Sequence, residues 1–249
     1  MEKYKANSFD KNYAMAWSQN EGGFSSQVAT NLLRLREKGK INFNSCLDIL
    51  CGTGEFIRLL KKNGVTVEAT EVAQSMIDVA KENLPDVKFH LTPNTQDFNF
   101  KGKYDLITCN HDCVNLMEKF ADWKSFFENA YAHLNKGGTL TFDFYTKKKL
   151  QDWVEVRHEE SATMDYIKDI KPGMDNKCIM KEIYFIKEKG ELYKKTFDIL
   201  VESYFENEEI FAALKGAKFK EIVATDIEFN PLSASELENR NRIHILAKK

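Results

Sequence analysis

The chain reads as an open, mostly parallel α/β sheet with an antiparallel β insertion placed late in the sequence. Two observations predict this. Up to about Tyr145, short apolar runs alternate with amphipathic segments, and strands joined through helices form a parallel sheet with crossovers on both faces. From Lys147 to Tyr204 the rhythm gives way to long alternations of apolar and charged residues, after which a helix and two strands close the chain.

The elements follow in order. In "GGFSSQVATNLLRLREKG", Val28, Leu32, Leu33 and Leu35 recur at helical spacing and Gly39 stops the helix. "CLDIL" is the first strand, and a helix from Glu55 to Asn63 ends at Gly64. "VTVEAT" is the second strand, followed by a helix from Ala73 to Asn83 that stops before Pro85. "VKFHL", "YDLITCN" and "GGTLTFDFY" are strands, with a helix from Ala121 to Leu134 between the last two. In the insertion, "NKCIMKEIYFIKEKGELYKKTFDILVESYF" predicts a long hairpin turning near Gly190, and "IMKEIYFIKEK" predicts one apolar and one charged face. A helix from Glu208 to Leu214 and the strands "FKEIVATDI" and "RIHILAKK" then rejoin the main sheet. Residues 1–146 and 205–249 thus form one domain and 147–204 an inserted β subdomain.

Composition narrows the function classes. With 249 residues, 43% apolar and 12% aromatic, the chain can bury the core of a large domain. A formal charge of −2, with both signs interspersed, argues against nucleic acid or an anionic membrane as partner. The N-terminal stretch has no apolar signal region and no run approaches the ~18 apolar residues of a membrane span, so the expected location is cytoplasmic. Five cysteines lack paired metal spacing, and Cys109 with Cys113 falls short of a tetrahedral ligand set, so neither a disulfide framework nor a metal is expected.

The stretch "CLDILCGTGEF" points to a ligand. In an open α/β sheet, ligands lie beyond the carboxyl ends of the strands, and a glycine loop after the first strand lets backbone approach them. Gly52 and Gly54 fill that role, and Glu71, ending the second strand about 20 residues on, stands where a carboxylate accepts from a ribose diol. A dinucleotide pyrophosphate asks for a third glycine, and that position holds Ile57. S-adenosylmethionine (SAM) has no phosphate and needs an acceptor for its ammonium, which Asp48 can supply. The residues favour SAM.

With these motifs on the page, the chain resembles the class I SAM-dependent methyltransferases, in particular their small-molecule branch. "LDILCGTGEF" is similar to that family's first motif, "VEATEVAQSMIDVAKENL" to its acidic ribose strand and following helix, and "YDLITCNHDCVNLM" to its fourth strand and active-site loop. The likeness covers residues 25–145 and 207–249. It implies a seven-stranded Rossmann-like sheet with strand seven antiparallel, SAM across the carboxyl edge, and a small methyl acceptor held by the N-terminal segment and the insertion. S-adenosyl-L-homocysteine would be the product.

Residue by residue, the resemblance puts Leu50, Cys51, Gly52, Thr53 and Gly54 around the methionine part, with Asp48 behind them. Glu71 would hold the ribose, Val72 and Met76 would pack near the adenine, and Asn94, where the family usually has Asp, would meet the adenine amino group beside Thr95. Asn110 would contribute backbone at the methionine end, and Tyr13, at helical spacing with Phe9 and Trp17, would cover the cofactor. The loop "NHDCVN" departs from the "NPPY" type that serves planar amide and nucleobase amines, which argues against those acceptors.

Methyl transfer from a sulfonium is an in-line displacement with an activated leaving group, so the protein mainly positions the acceptor and, where needed, removes its proton. His111 and Asp112 are the candidates for that task. Bland readings stand beside them: His111 as a surface loop residue, Asp112 as a cap for "CVNLM", and His158 and Tyr166 as insertion surface. Two other functions remain open at this level, an NAD(P)-dependent oxidoreductase and a SAM-binding regulatory protein without turnover. The insertion is read as an acceptor cover or as a contact between two copies, leaving monomer and homodimer both open.

Overall fold

A computed structural model describes residues 11–98, 101–188, 190 and 192–249, with backbone alone at 19–22. Phe9 lies outside the described residues. In chain order the first half contains α1 (Lys11–Glu37), β1 (Ser45–Ile49), α2 (Glu55–Lys62), β2 (Thr66–Glu71), α3 (Gln74–Asn83), β3 (Lys88–Leu91) and β4 (Tyr104–Cys109). Then come α4 (Phe120–His133), β5 (Leu134–Tyr145), α5 (Lys147–Leu150), β6 (Glu155–Glu160), β7 (Met164–Pro172), β8 (Lys177–Lys187) and β9 (Tyr193–Ser203). The chain closes with α6 (Asn207–Gly216), β10 (Ile222–Thr225), α7 (Ala234–Asn239) and β11 (Arg242–Lys248).

Seven strands form the main sheet in the order β10-β11-β5-β4-β1-β2-β3. Strand β11 runs antiparallel to both neighbours, while β1, β2, β3, β4 and β5 are mutually parallel. Both faces are buried because helices cover both, which is why β1 and β4 are buried along nearly their whole length. On one face α4 presents Trp123, Phe126, Phe127 and Ala130 at helical spacing to Ile107, Phe142 and Ile245. On the other, Val28 and Leu32 of α1 and Phe56 and Leu60 of α2 pack over Cys46 and Leu106. The order in which strands are added to the sheet reverses between β1 and β4, so the carboxyl ends of those strands open a crevice at the switch point.

Helix α1 starts well before the glycine pair at which the sequence reading began it. Tyr13, Ala14 and Ala16 are buried against α3 and the insertion, and that packing outweighs the low helix propensity of Gly22 and Gly23. The expected hairpin is β8 and β9, with Gly190 at φ +69° in its turn, and β6 and β7 extend it to a four-stranded antiparallel sheet. Its two faces are not divided into apolar and charged. The buried face carries Cys178, Met180, Glu182 and Tyr184, whereas Ile179, Ile183 and Phe185 are only half covered on the other. Fully buried Asn115 bolts this sheet to the core: Nδ2 donates to the carbonyls of Tyr145 (3.0 Å) and Ser203 (2.9 Å), and Oδ1 accepts from the Tyr145 N–H (3.0 Å).

Candidate active site

The crevice is built from strand ends. After β1 the chain turns sharply, with Leu50, Gly52 and Gly54 all at positive φ (54°, 55° and 88°). A Cβ on Gly52 would lie 3.0 Å from the Trp17 ring, so this glycine lets α1 close over the loop. A Cβ on Gly54 would lie 2.8 Å from Leu84 Cδ1, so here the missing side chain serves the packing of α2 on α3. Glu71, ending β2, fastens the loop: Oε2 accepts from the Gly52 N–H (2.9 Å) and Oε1 from those of Val72 (2.7 Å) and Ala73 (3.1 Å). Burial pushes its carboxyl up, against the pull of those three donors.

Asp48 sits opposite Thr108 in register between β1 and β4 and accepts its hydroxyl hydrogen at 2.5 Å. Burial, reinforced by the charge of Glu71 and opposed by the Thr108 hydrogen bond, raises its pKa to about 7. Three buried polar atoms of the crevice find no partner among the described residues: Thr53 Oγ1 and both amide ends of Asn110. Such atoms are costly unless a ligand or water satisfies them.

Beyond β4, His111 and Asp112 both adopt left-handed backbone (φ 64° and 51°). Fully buried Asp143 on β5 holds them there, accepting from the N–H groups of His111 (2.6 Å) and Asp112 (3.0 Å). Arg242, at the start of β11, donates to both Asp143 and Asp112 and lies 4.0 Å from the centre of the Tyr145 ring and 4.6 Å from that of Phe24. Burial opposes the Asp112 charge, but Arg242 and then His111 outweigh it and hold the carboxyl below the usual range. Asp112 therefore does not cap the following 3₁₀ turn (Cys113–Leu116), which has no side-chain cap.

A cavity of about 340 Å³ opens between this loop and the inserted sheet, lined by His111, Asp112, Arg242 and Phe24 below and by Trp153, Lys168 and Met180 of the insertion. Helix α1 roofs the junction. The His111 ring stacks on Phe24 at 5.0 Å and meets Trp17 at 5.7 Å, while the Tyr13 hydroxyl donates to Glu182 of β8 at 2.5 Å. A sheet crevice with a glycine loop, a bridging carboxylate and an adjoining cavity is the layout of a group-transfer site.

A family model described as "Methyltransferase domain" matches residues 17–168, more than half of the chain. The chain belongs to that methyltransferase family. Among its relatives, a ubiquinone biosynthesis O-methyltransferase of Coxiella burnetii is 31% identical over 100 residues, 39% of this chain and 41% of that protein. A dTDP-4-amino-2,3,4,6-tetradeoxy-D-glucose N,N-dimethyltransferase of Saccharopolyspora spinosa is 25% identical over 179 residues, 70% of each. A solved SAM-dependent methyltransferase of Clostridium acetobutylicum shares the fold, with a TM-score of 0.81 at 20% identity over 95% of this chain and 97% of that one.

The crevice of this methyltransferase fits SAM as the methyl donor. The unpartnered Thr53 and Asn110 atoms lie at the loop, Asp48 is a buried acceptor behind it, and Glu71 retains lone pairs on Oε2. Leu50 and Cys51 are part of the same turn, half-buried Val72 lies between Glu71 and α3, and buried Met76 is in the first turn of α3. Asn94 closes its own turn: its Oδ1 accepts from the Asp97 N–H (2.8 Å) and its Nδ2 donates to the Asp97 carboxylate (2.7 Å), which leaves one lone pair on Oδ1. Thr95 next to it is buried. His158 is half exposed, as a surface reading has it, but Tyr166 is buried and donates to Glu182 at 2.8 Å. Sequence reasoning missed Phe24, Asp143, Arg242 and Glu182, and the one available signal was charge on strands otherwise read as apolar: "FDFY" and "RIHIL".

Proposed function

We propose that this methyltransferase transfers the methyl group of SAM to a nitrogen or oxygen of a small molecule seated in the cavity between the His111–Asp112 loop and the inserted sheet. The observation that carries this reading is the cavity itself: about 340 Å³, bordered by the His111–Asp112 loop at the end of β4, closed on one side by the insertion and sized for a small organic acceptor. When bound, SAM supplies an electrophilic methyl on a sulfonium, so the leaving group needs no activation. Gly52, Thr53, Asp48 and Asn110 then hold its amino-acid end and Glu71 its ribose. Phe24, Tyr145 and Trp153 give the acceptor apolar contacts within a largely charged lining, and the Asp112–Arg242 pair gives it a fixed polar floor. Because Arg242 keeps Asp112 ionised, Asp112 orients the acceptor and removal of its proton falls to His111, which lines the cavity on a backbone fixed by Asp143.

Two steps test this. Calorimetric titration should show SAM and S-adenosyl-L-homocysteine binding, weakened about tenfold or more by Glu71→Ala, with NAD and NADP silent. A panel of small amines, sugars and phenols offered with methyl-labelled SAM should then yield a labelled product. His111→Ala should lower kcat more than tenfold with KM little changed. Turnover of His111→Ala within about threefold of the unaltered protein would leave positioning as the sole role of the loop.

A further inference from the structure

The inserted sheet brings an acid to the acceptor loop that neither the SAM crevice nor the transfer step has called upon. Glu202, one residue from the end of β9, is 1% exposed, and no hydrogen bond reaches either of its carboxyl oxygens from the N–H and O–H donors of the described residues. Its carboxyl faces the Asp112 carboxylate where β9 packs on the turn that follows Asp112 and the Ser203 carbonyl accepts from Asn115. The same buried pocket holds Asp143, and the Arg242 guanidinium serves both aspartates. The Lys168 ammonium also faces this cluster but is already paired with Glu182 at 3.0 Å, so three ionised carboxylates around the Arg242 guanidinium would leave charge uncompensated away from water, and one carboxyl keeps its proton. Asp143 accepts from two backbone N–H groups and from Arg242, and Asp112 accepts from Arg242. Glu202 is the one without a donor, so the proton resides there, with Asp112 as its acceptor. Burial, then the charge of Asp112, push the Glu202 carboxyl far up, in keeping with this assignment.

We propose that Glu202 is a positioning residue of methyl transfer: as a carboxylic acid it donates a hydrogen bond to Asp112 and ties the inserted sheet to the loop that presents His111 to the acceptor. The proposal rests on the reading of the neighbouring cavity as the acceptor site. Its neighbour Ser203 contacts the same loop through the Asn115 amide, so two successive residues of β9 grip one turn. A protonated side chain at this seam makes the closure of the acceptor cavity dependent on a single proton.

The charged and titratable groups facing Glu202 are Asp112 on the loop, Tyr145 on β5, Lys168 on β7, Cys178 on β8 and Arg242 on β11. Burial raises Tyr145 to about 12 and Cys178 to about 11, and Asp112 is held low, so none of these three titrates between pH 5 and 9. Glu202 binds its proton more tightly folded than unfolded. The stability it contributes is therefore full below about 4.5 and is lost as pH rises through its folded value.

Thermal melting of the unaltered protein, Glu202→Gln and Glu202→Leu from pH 5 to 9 reads this without any acceptor. Glutamine keeps a donor toward Asp112 and cannot ionise, so the unaltered protein should lose several degrees relative to it across the range, at about 2–4 °C per kcal/mol. Parallel curves would show that Glu202 carries no special proton and overturn the proposal. With an acceptor from the labelled-SAM panel, Glu202→Gln should keep its KM within about twofold, while Glu202→Leu raises it about tenfold with SAM affinity unchanged. Equal acceptor KM for all three would also overturn it. An acceptor panel that yields no product, with melting curves that diverge, would instead remove the small-molecule reading and leave the proton on Glu202 standing.

Discussion

The cofactor half and the acceptor half of this methyltransferase are built by different means. Around the glycine loop, the holding contacts run between side chain and backbone over short stretches of chain: Glu71 reaches Gly52 across 19 residues and Val72 across one. At the acceptor loop, Asp143 also holds backbone N–H groups, 31 and 32 residues away, but the joining contacts run between side chains over far longer stretches: Arg242 is 99 residues from Asp143 and 130 from Asp112. The first device is encoded locally, since a strand, a glycine turn and a carboxylate ending the next strand suffice. The second exists only after β5, β9 and β11 have converged. A site made in this way keeps its cofactor cradle constant while acceptor recognition is rebuilt from distant residues.

The sharpest way to break the comparison is to remove the long-range link. Burial works against the Arg242 charge, yet Asp112 and Asp143 more than restore it, so the guanidinium is the counter-charge of the whole acceptor floor. Arg242→Met keeps the apolar stem against Phe24 and Tyr145 but leaves both aspartates unpaired. The expected cost is about 3–5 kcal/mol of stability, measured by urea unfolding, together with loss of methyl transfer. Loss of activity with unchanged stability would show that the floor is not held together by charge.

A smaller effect belongs to the cofactor half. Asp48 titrates near 7 because burial, with the charge of Glu71 behind it, outweighs the Thr108 hydrogen bond. Without cofactor, the stability that Asp48 contributes is full below about 3.8 and is lost as pH rises through about 7. An ammonium bound beside it favours the ionised form, so SAM affinity should rise by up to about tenfold per pH unit below 7 and level off above. Calorimetry from pH 5.5 to 8.5, in buffers of different ionisation enthalpy, should detect one proton released near pH 6. Asp48→Asn should bind weakly with a flat profile. A flat profile for the unaltered protein would place the ammonium elsewhere.

The same division explains what was legible in the sequence. The alternation of strands and helices, the glycine turn and Glu71 are local patterns, and they sit in the crevice where the sequence put them. The turn that Asn94 closes on Asp97 was not read from the sequence, because a short polar side chain can serve its own backbone as readily as a ligand. The insertion's faces failed because alternation assigns parity but not polarity. Glu182, Asp198 and Glu202 share the inner face with Met180 and Tyr184, where Tyr13, Tyr166 and Lys168 engage Glu182 and the Asp112 charge faces Glu202. Nothing in a charged-apolar repeat tells which of its members will meet such partners.

The smallest effect is expected on the insertion's outward face, and it sharpens the contrast between its two sides. Phe197 is 47% exposed and Val156 73% exposed, and they lie on outer surface that also carries Lys181 and Lys195, whose ammonium groups rest 5.7 and 5.8 Å from the centre of the Phe197 ring. Such residues bury little area, and the lysine stems already shield part of the ring. Phe197→Ser and Val156→Ser should therefore change stability by no more than about 0.5 kcal/mol and leave the sedimentation coefficient unchanged. A drop in mass would show instead that this face is covered by a second copy. The insertion would then be an assembly surface as well as an acceptor wall, and its outer apolar residues would answer to the same long-range logic as Glu202 on the inner side.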